Sequence, residues 1–218
     1  MKNLDDKQAY IFDMDGTLVN SEPIGPQTFA EIYESHGVEV NETEIAEFTQ
    51  SWRRIGDYVP QDEYMTRLAQ QNNIDESIVS KFYELYKQNL LHAKSLPGVD
   101  YFLKKSKQQN KLLVVVSASK RSQIETVLNN NHWLELFDFI VGEEDVSAHK
   151  PSPEGYIYAI EKLGLTNSQV AIFEDSKNGV LAAKAAKALT VGISAGSAPN
   201  QDISSADVVV DSFEELLL

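Results

Sequence analysis

Cysteine is absent from the 218 residues, which excludes disulfides, thiolate nucleophiles and cysteine-bearing metal sites. Positive charge is scarce: 19 Lys and Arg stand against 33 Asp and Glu, for a formal net charge of -14. Such a field disfavours nucleic acid and anionic membranes as partners. An anionic small substrate would need a local positive pocket. No apolar run approaches the roughly 20 residues that span a bilayer. The opening MKNLDDKQAY also lacks the apolar centre of a secretory signal. The expectation is a cytoplasmic protein, which the missing disulfides suit.

What remains is an ordinary globular composition, 42% hydrophobic and 24% charged, in a chain long enough to bury a substantial core. Short apolar runs at 9–13 (AYIFD), 112–117 (LLVVVS), 139–141 (FIV), 170–173 (VAIF), 190–193 (TVGI) and 207–210 (DVVV) predict strands. Helical patterns at about 98–109, 120–130, 153–163 and 177–187 alternate with them. Continuous β-branched runs suit strands covered on both faces, so the fold class is α/β, a Rossmann-like doubly wound parallel sheet.

The region 20–93 breaks that alternation. FAEIYESHG and SIVSKFYELYKQNLL carry apolar residues at helical spacing, and Asn41 with Glu44 reads as a capping box. LPG at 96–98 marks the return to the core. The predicted domains are an α/β core of residues 1–19 and 94–218 and an inserted helical domain of residues 20–93.

Ligands of open parallel sheets sit beyond the carboxyl ends of the strands. Here the first strand runs into Asp13 and Asp15, the second into Ser117, and the fourth into Glu174 and Asp175; Lys150 falls in the loop after the third. The two-residue period of a strand lets Asp13 and Asp15 face one point. Singly, each feature has a plain explanation. A lone DxD is common in surface turns, Ser117 can simply end a strand, and Lys150 can be a solvated loop residue. Ser152 and Pro153 read as the N-cap and first position of one helix, and Ser176 as the cap of another. Together, polar groups at four strand ends exceed what turn chemistry requires. Converging carboxylates repel one another without a cation, and an oxygen-only donor set favours Mg²⁺. A metal, an ammonium and hydroxyl donors around a carboxylate make a phosphate site.

DMDGT at 13–17, VVVSAS ending on Ser117, HKPSPEGY around Lys150 and FEDSKNGVLAAKAA from Phe173 resemble the four ordered motifs of the haloacid dehalogenase superfamily. The resemblance spans the chain, and the helical insertion is similar to that family's cap domain. Within the superfamily the chain is most similar to the group of beta-phosphoglucomutase and small sugar-phosphate phosphatases. The resemblance implies Asp13 as nucleophile, forming an aspartyl-phosphate, and Asp15 as general acid and then base. It further implies Ser117 and Lys150 as holders of the phosphoryl group. Mg²⁺ would be held by Asp13, Asp175 and the backbone carbonyl of Asp15, with Glu174 a ligand or its partner.

SASK at 117–120 resembles the mutase and brings in Ser119 as a substrate contact; Arg53, Arg54 and Lys81 are candidate contacts in the cap. Trp52 reads as packing. The mutase carries a histidine in its first cap helix, where ungapped counting from Asp13 gives Gly25 here. The expectation is therefore a Mg²⁺-dependent phosphatase of a small phosphorylated metabolite, a sugar phosphate, acting as a monomer. A phosphosugar mutase is the alternative. A silent binding protein on the same scaffold would have lost an essential group, whereas every motif position is filled.

Overall fold

The computed structural model describes residues 4–53, 59–196 and 201–217. The chain divides into two compact units, Met1–Asn20 with Lys94–Leu218 and Ser21–Ala93.

The first unit is built on strands β1 (Ala9–Phe12), β2 (Leu112–Val116), β3 (Phe139–Val141), β4 (Val170–Glu174), β5 (Leu189–Ile193) and β6 (Val208–Val210). Their order is β3-β2-β1-β4-β5-β6, with every neighbouring pair parallel. The predicted strands are all present, with ends shifted by at most one residue. Sequence order reverses between β1 and β4, so the crevice at their carboxyl ends is the topological switch point where such sheets bind ligands. The register pairs Phe12 with Phe173, and Asp13 N–H donates to Phe173 O at 3.0 Å. The residues that follow, Asp13 and Glu174, are thereby neighbours across that crevice.

Strand parity divides the core. Ala9, Ile11, Val114, Val116 and Ile172 pack with Tyr156, Ala159 and Ile160 of α7 (Glu154–Leu163) and with Ala182 and Ala183 of α8 (Lys177–Ala185). The opposite parity carries rings. Phe12 stacks on Phe173 at 4.8 Å between centroids, and both meet Phe102 of α5 (Val99–Gln108) and Phe213 near the C-terminus. Helix α6 (Arg121–Asn130) follows β2.

The second unit holds α1 (Ile24–Glu34), α2 (Glu42–Arg53), α3 (Gln61–Gln71) and α4 (Ile78–Leu90), and no strand occurs among its described residues. Its core joins Phe29, Tyr33, Phe48, Met65, Leu68, Ile78 and Phe82. The capping box forms as read: Asn41 Oδ1 accepts from Glu44 N–H at 3.0 Å, and Glu44 Oε2 accepts from Asn41 N–H at 2.9 Å. One cap differs from its expectation. Pro153, not Ser152, occupies the N-cap position of α7, and Ser152 Oγ accepts weakly from Glu154 N–H at 3.3 Å. Pro153 already has helical backbone angles, so Ser152 still reaches the N–H two residues on, as a cap ahead of a proline does, although the regular helix begins one residue later. Among the described residues, no helix is long and apolar enough to cross a membrane.

Candidate active site

The β1 strand ends where the chain must turn sharply. Gly16 adopts φ +84, and a Cβ there would lie 2.2 Å from Asp175 Oδ2. Only glycine meets both the left-handed backbone and the close approach. Thr17, fully buried, turns back to donate its hydroxyl to Asp175 Oδ1 at 3.1 Å. The motif after β1 is thus tied to the motif after β4 by side-chain chemistry as well as by the sheet.

Lys150 arrives from the loop after β3, and its peptide bond to Pro151 is cis. Its ammonium donates to Asp13 Oδ1, to Glu174 Oε1 at 2.6 Å and to Val116 O at 3.2 Å. Three donors meet three protein oxygens. Ser117 is buried at the end of β2, where its N–H donates to Val141 O at 3.1 Å and its Oγ accepts from Ser119 N–H at 3.1 Å. Ser119 Oγ in turn donates to Asp15 Oδ2 at 3.4 Å. The loop after β2 therefore reaches the second carboxylate of the first motif.

Glu174 is wholly buried. Its Oε1 accepts from Lys150 and, at 2.7 Å, from the Tyr156 hydroxyl. Its Oε2 accepts from Asp175 N–H at 3.1 Å, Ser176 N–H at 3.2 Å and Ser176 Oγ at 3.1 Å. The first turn of α8 presses on this carboxylate: a Cβ at Gly179 would come within 1.8 Å of Oε1. Ser176 caps α8 as expected, its Oγ accepting from Gly179 N–H.

Asp13, Glu174 and Asp175 each offer a carboxylate oxygen, and these oxygens all lie within 4.8 Å of one another. Burial, with the charges of Glu174 and Asp15, pushes Asp13 up from 3.8 to about 8 against the pull of Lys150. Burial, with Asp13 and Glu174, likewise raises Asp175 well above the usual carboxylate range. Burial alone would lower Lys150, but Asp13 and Glu174 outweigh it and hold the amine protonated. One ammonium leaves this carboxylate cluster short of positive charge, and its all-oxygen donor set fits a hard divalent cation such as Mg²⁺. Glu174 already has donors on both oxygens, so Asp13 and Asp175 are the side chains better placed to meet an ion.

A consequence can be measured on the metal-free protein. A carboxyl whose folded pKa is raised contributes stability that is complete below its unfolded value and is lost as pH rises through its folded value. For Asp13 that window runs from 3.8 to about 8, and Asp175 shifts in the same sense. With chelator present, the melting temperature should fall as pH is raised from about 5 to about 8. Added Mg²⁺, which binds deprotonated ligands, should raise it most at the alkaline end. Melting curves with equal Mg²⁺ shifts at both ends would contradict this account.

The six core residues read from the sequence, Asp13, Asp15, Ser117, Lys150, Glu174 and Asp175, gather at the ends of β1, β2 and β4, together with Ser119. Lys81 stands exposed on α4. Arg53 ends α2, but its side chain and the whole of Arg54 lie outside the described residues. Trp52 packs in the helical unit as expected, stacked on Phe48 and edge-on to Tyr86. Sequence reasoning missed Tyr156. Its helical spacing to Ile160 marks it as a core residue, and nothing local shows that its hydroxyl meets an acid.

A doubly wound α/β sheet with an acid–lysine cluster at its switch point places a charged site where such sheets bind ligands. Residues 10–193 match the family model of the haloacid dehalogenase-like hydrolases, and the chain belongs to that family. It is 29% identical over 208 residues to a validoxylamine A 7'-phosphate phosphatase of Streptomyces hygroscopicus subsp. limoneus, covering 94% of each chain. It is 31% identical over 191 residues to a phosphorylated carbohydrates phosphatase of Thermotoga maritima, covering 82% of this chain and 81% of that one. Among solved structures, a T. maritima protein assigned as a beta-phosphoglucomutase superposes with a TM-score of 0.79 at 27% identity, over 96% of both chains. The expectation of a haloacid dehalogenase hydrolase of the phosphatase group is met.

Proposed function

We propose that this protein is a Mg²⁺-dependent phosphatase that hydrolyses a small phosphorylated metabolite, a sugar phosphate, through a phosphorylated Asp13. The observation that carries the reading is the Lys150 ammonium bridging Asp13 and Glu174 at the switch point. Relatives named as phosphatases of phosphorylated carbohydrates and of validoxylamine A 7'-phosphate support the substrate class.

In the first half-reaction an Asp13 carboxylate oxygen attacks phosphorus, the ester P–O bond breaks, and Asp15 delivers a proton to the departing alkoxide. In the second, Asp15 takes a proton from water, whose oxygen attacks the same phosphorus. The acyl phosphate P–O bond breaks, inorganic phosphate leaves and the Asp13 carboxylate is restored. Lys150 turns one N–H donor to the phosphoryl group and stays protonated, keeping Glu174 and Val116 O as anchors. Ser117, buried beside Lys150's backbone acceptor, supplies a neutral donor to the same oxygens. Mg²⁺, held by Asp13, Asp175 and the carbonyl of Asp15, would neutralise phosphoryl charge against the attacking carboxylate.

Ser119 acts on Asp15 or on substrate oxygens. The helical insertion serves as the cap that selects the leaving group, with Arg53, Arg54 and Lys81 as its candidate contacts. A mutase reading has support from SASK and from the structural neighbour. Against it stands Gly25, whose Cβ position lies 2.4 Å from Trp52 Cε2. The Trp52 indole occupies the space that a histidine there would need, which supports the phosphatase reading over the mutase one.

Release of phosphate from para-nitrophenyl phosphate and a panel of sugar phosphates, dependent on Mg²⁺ and stopped by chelator, is the expected result. Conversion of beta-glucose 1-phosphate to glucose 6-phosphate in the presence of a bisphosphate activator, without matching free phosphate, would replace the phosphatase reading by the mutase one.

A further inference from the structure

We propose that Tyr156 is a positioning residue for the reaction, holding Lys150 at the strand ends by way of Glu174. The inference rests on the phosphatase reading for its catalytic consequence, and on geometry alone for the positioning itself.

Tyr156 sits in the first turn of α7 and is 1% exposed, its ring packed among Val116, Ile172 and Ala182. A phenylalanine would fill that place. A hydroxyl buried among apolar groups is costly unless it finds a partner, and here the partner is Glu174 Oε1 at 2.7 Å. The same oxygen accepts from Lys150 at 2.6 Å. The lysine ammonium also lies 5.1 Å from the centroid of the tyrosine ring, within the range of a cation–π contact. One side chain thus touches both members of the ion pair, the acid through its hydroxyl and the base through its π face.

The effect on Lys150 follows from the distribution of donors. Glu174 Oε2 is fixed by three groups from its own turn, Asp175 N–H, Ser176 N–H and Ser176 Oγ. Those groups orient the carboxylate about its own chain but do not determine which way Oε1 meets the lysine. The Tyr156 hydroxyl takes one side of Oε1 and leaves the other to Lys150. Without it, Oε1 offers the ammonium two directions of approach, and the lysine loses the single placement that keeps it within reach of Asp13. Loop 150–153 precedes α7 directly, so the lysine and the residue that orients its acid stand on one continuous segment.

The test compares wild type with Tyr156→Phe and with 3-fluorotyrosine introduced at position 156 alone, a nearly isosteric but stronger donor. The Lys150 ammonium, buried and hydrogen-bonded, is followed by its ¹H–¹⁵N signal, and turnover by para-nitrophenyl phosphate with Mg²⁺. In Tyr156→Phe the signal should shift or broaden, and kcat should fall about tenfold, the scale of a hydrogen bond to a charged group. KM should stay within about twofold because the substrate's other contacts are kept. The fluorinated residue should move the signal in the opposite sense. A lysine signal indifferent to both changes, or a kcat within about twofold of wild type in Tyr156→Phe, overturns the proposal. If wild type releases no phosphate from any ester, the phosphatase reading fails, while the lysine signal still decides the positioning.

Discussion

Asp13→Asn is expected to cut phosphate release by about 10⁴-fold or more, the usual scale for losing a nucleophile, while leaving a folded protein. The amide is close to the carboxylate in volume, and its oxygen can still accept from Lys150, so the packing at the end of β1 survives. The loss is chemical, because an amide does not attack phosphorus to form an acyl phosphate. Stability should move the other way. Burial, and then the charges of Glu174 and Asp15, already push the Asp13 pKa up to about 8. Removing the Asp13 charge relieves repulsion wherever the acid is ionised, so without metal and above about pH 8 the variant should melt at or above the wild-type temperature. Steady-state release of phosphate and thermal melts with chelator measure the two halves. Activity within tenfold of wild type would rule out Asp13 as the phosphorylated residue.

The second large effect is expected from Lys150→Met, which keeps much of the side chain's length and removes its charge. Glu174 and Asp13 would then lose the cation that both now contact. Breaking a buried ion pair by removing one partner costs on the order of 3 kcal/mol, because the remaining charge stays desolvated. Turnover should fall by about 10³-fold, the upper scale for loss of a single group that stabilises transition-state charge. The stability loss should shrink as pH is lowered, since the carboxyls left behind can take up protons, and this separates a missing charge from a packing defect. Urea unfolding at about pH 5 and about pH 8 reads that difference. A loss of equal size at both values would mean that Lys150 matters for its stem and not for its ammonium.

Much of this site could be read along the chain because each of its main groups stands at the end of a recognisable strand. The apolar run of β1 stops at Asp13, that of β2 at Ser117 and that of β4 at Glu174, and strand parity sends Asp13 and Glu174 to the face of Ile11 and Ile172. These are local signals, carried by a period of two and by a change from apolar to polar residues. Helix caps behaved in the same way at Asn41 and Ser176. At Pro153 the expectation missed by one position, because a proline with helical angles and no N–H blurs where a helix begins.

The groups that escaped the sequence are those whose meaning depends on a distant partner. Tyr156 reads as one more member of an apolar stripe until α7 is laid on the sheet and its hydroxyl meets Glu174. Gly179 reads as a helix residue of low propensity until the carboxylate is found within 1.8 Å of its Cβ position. Gly25 reads as an absence until Trp52 is seen to occupy the space. In each case the deciding atom lies on another element, and no periodicity within one segment encodes which neighbour it will have.

The sequence by itself determined that this is a doubly wound α/β protein with a helical insertion, that carboxylates and a serine end its strands, and that a lysine falls in the loop after the third. Those properties follow from short-range patterns of burial and backbone preference. Only the tertiary structure decided that β1 lies beside β4, so that Lys150 bridges Asp13 and Glu174, and that Glu174 is saturated by protein donors. That decision belongs to packing between elements far apart in the chain, where hydrogen-bond geometry and desolvation assign to each charge the partner it can keep.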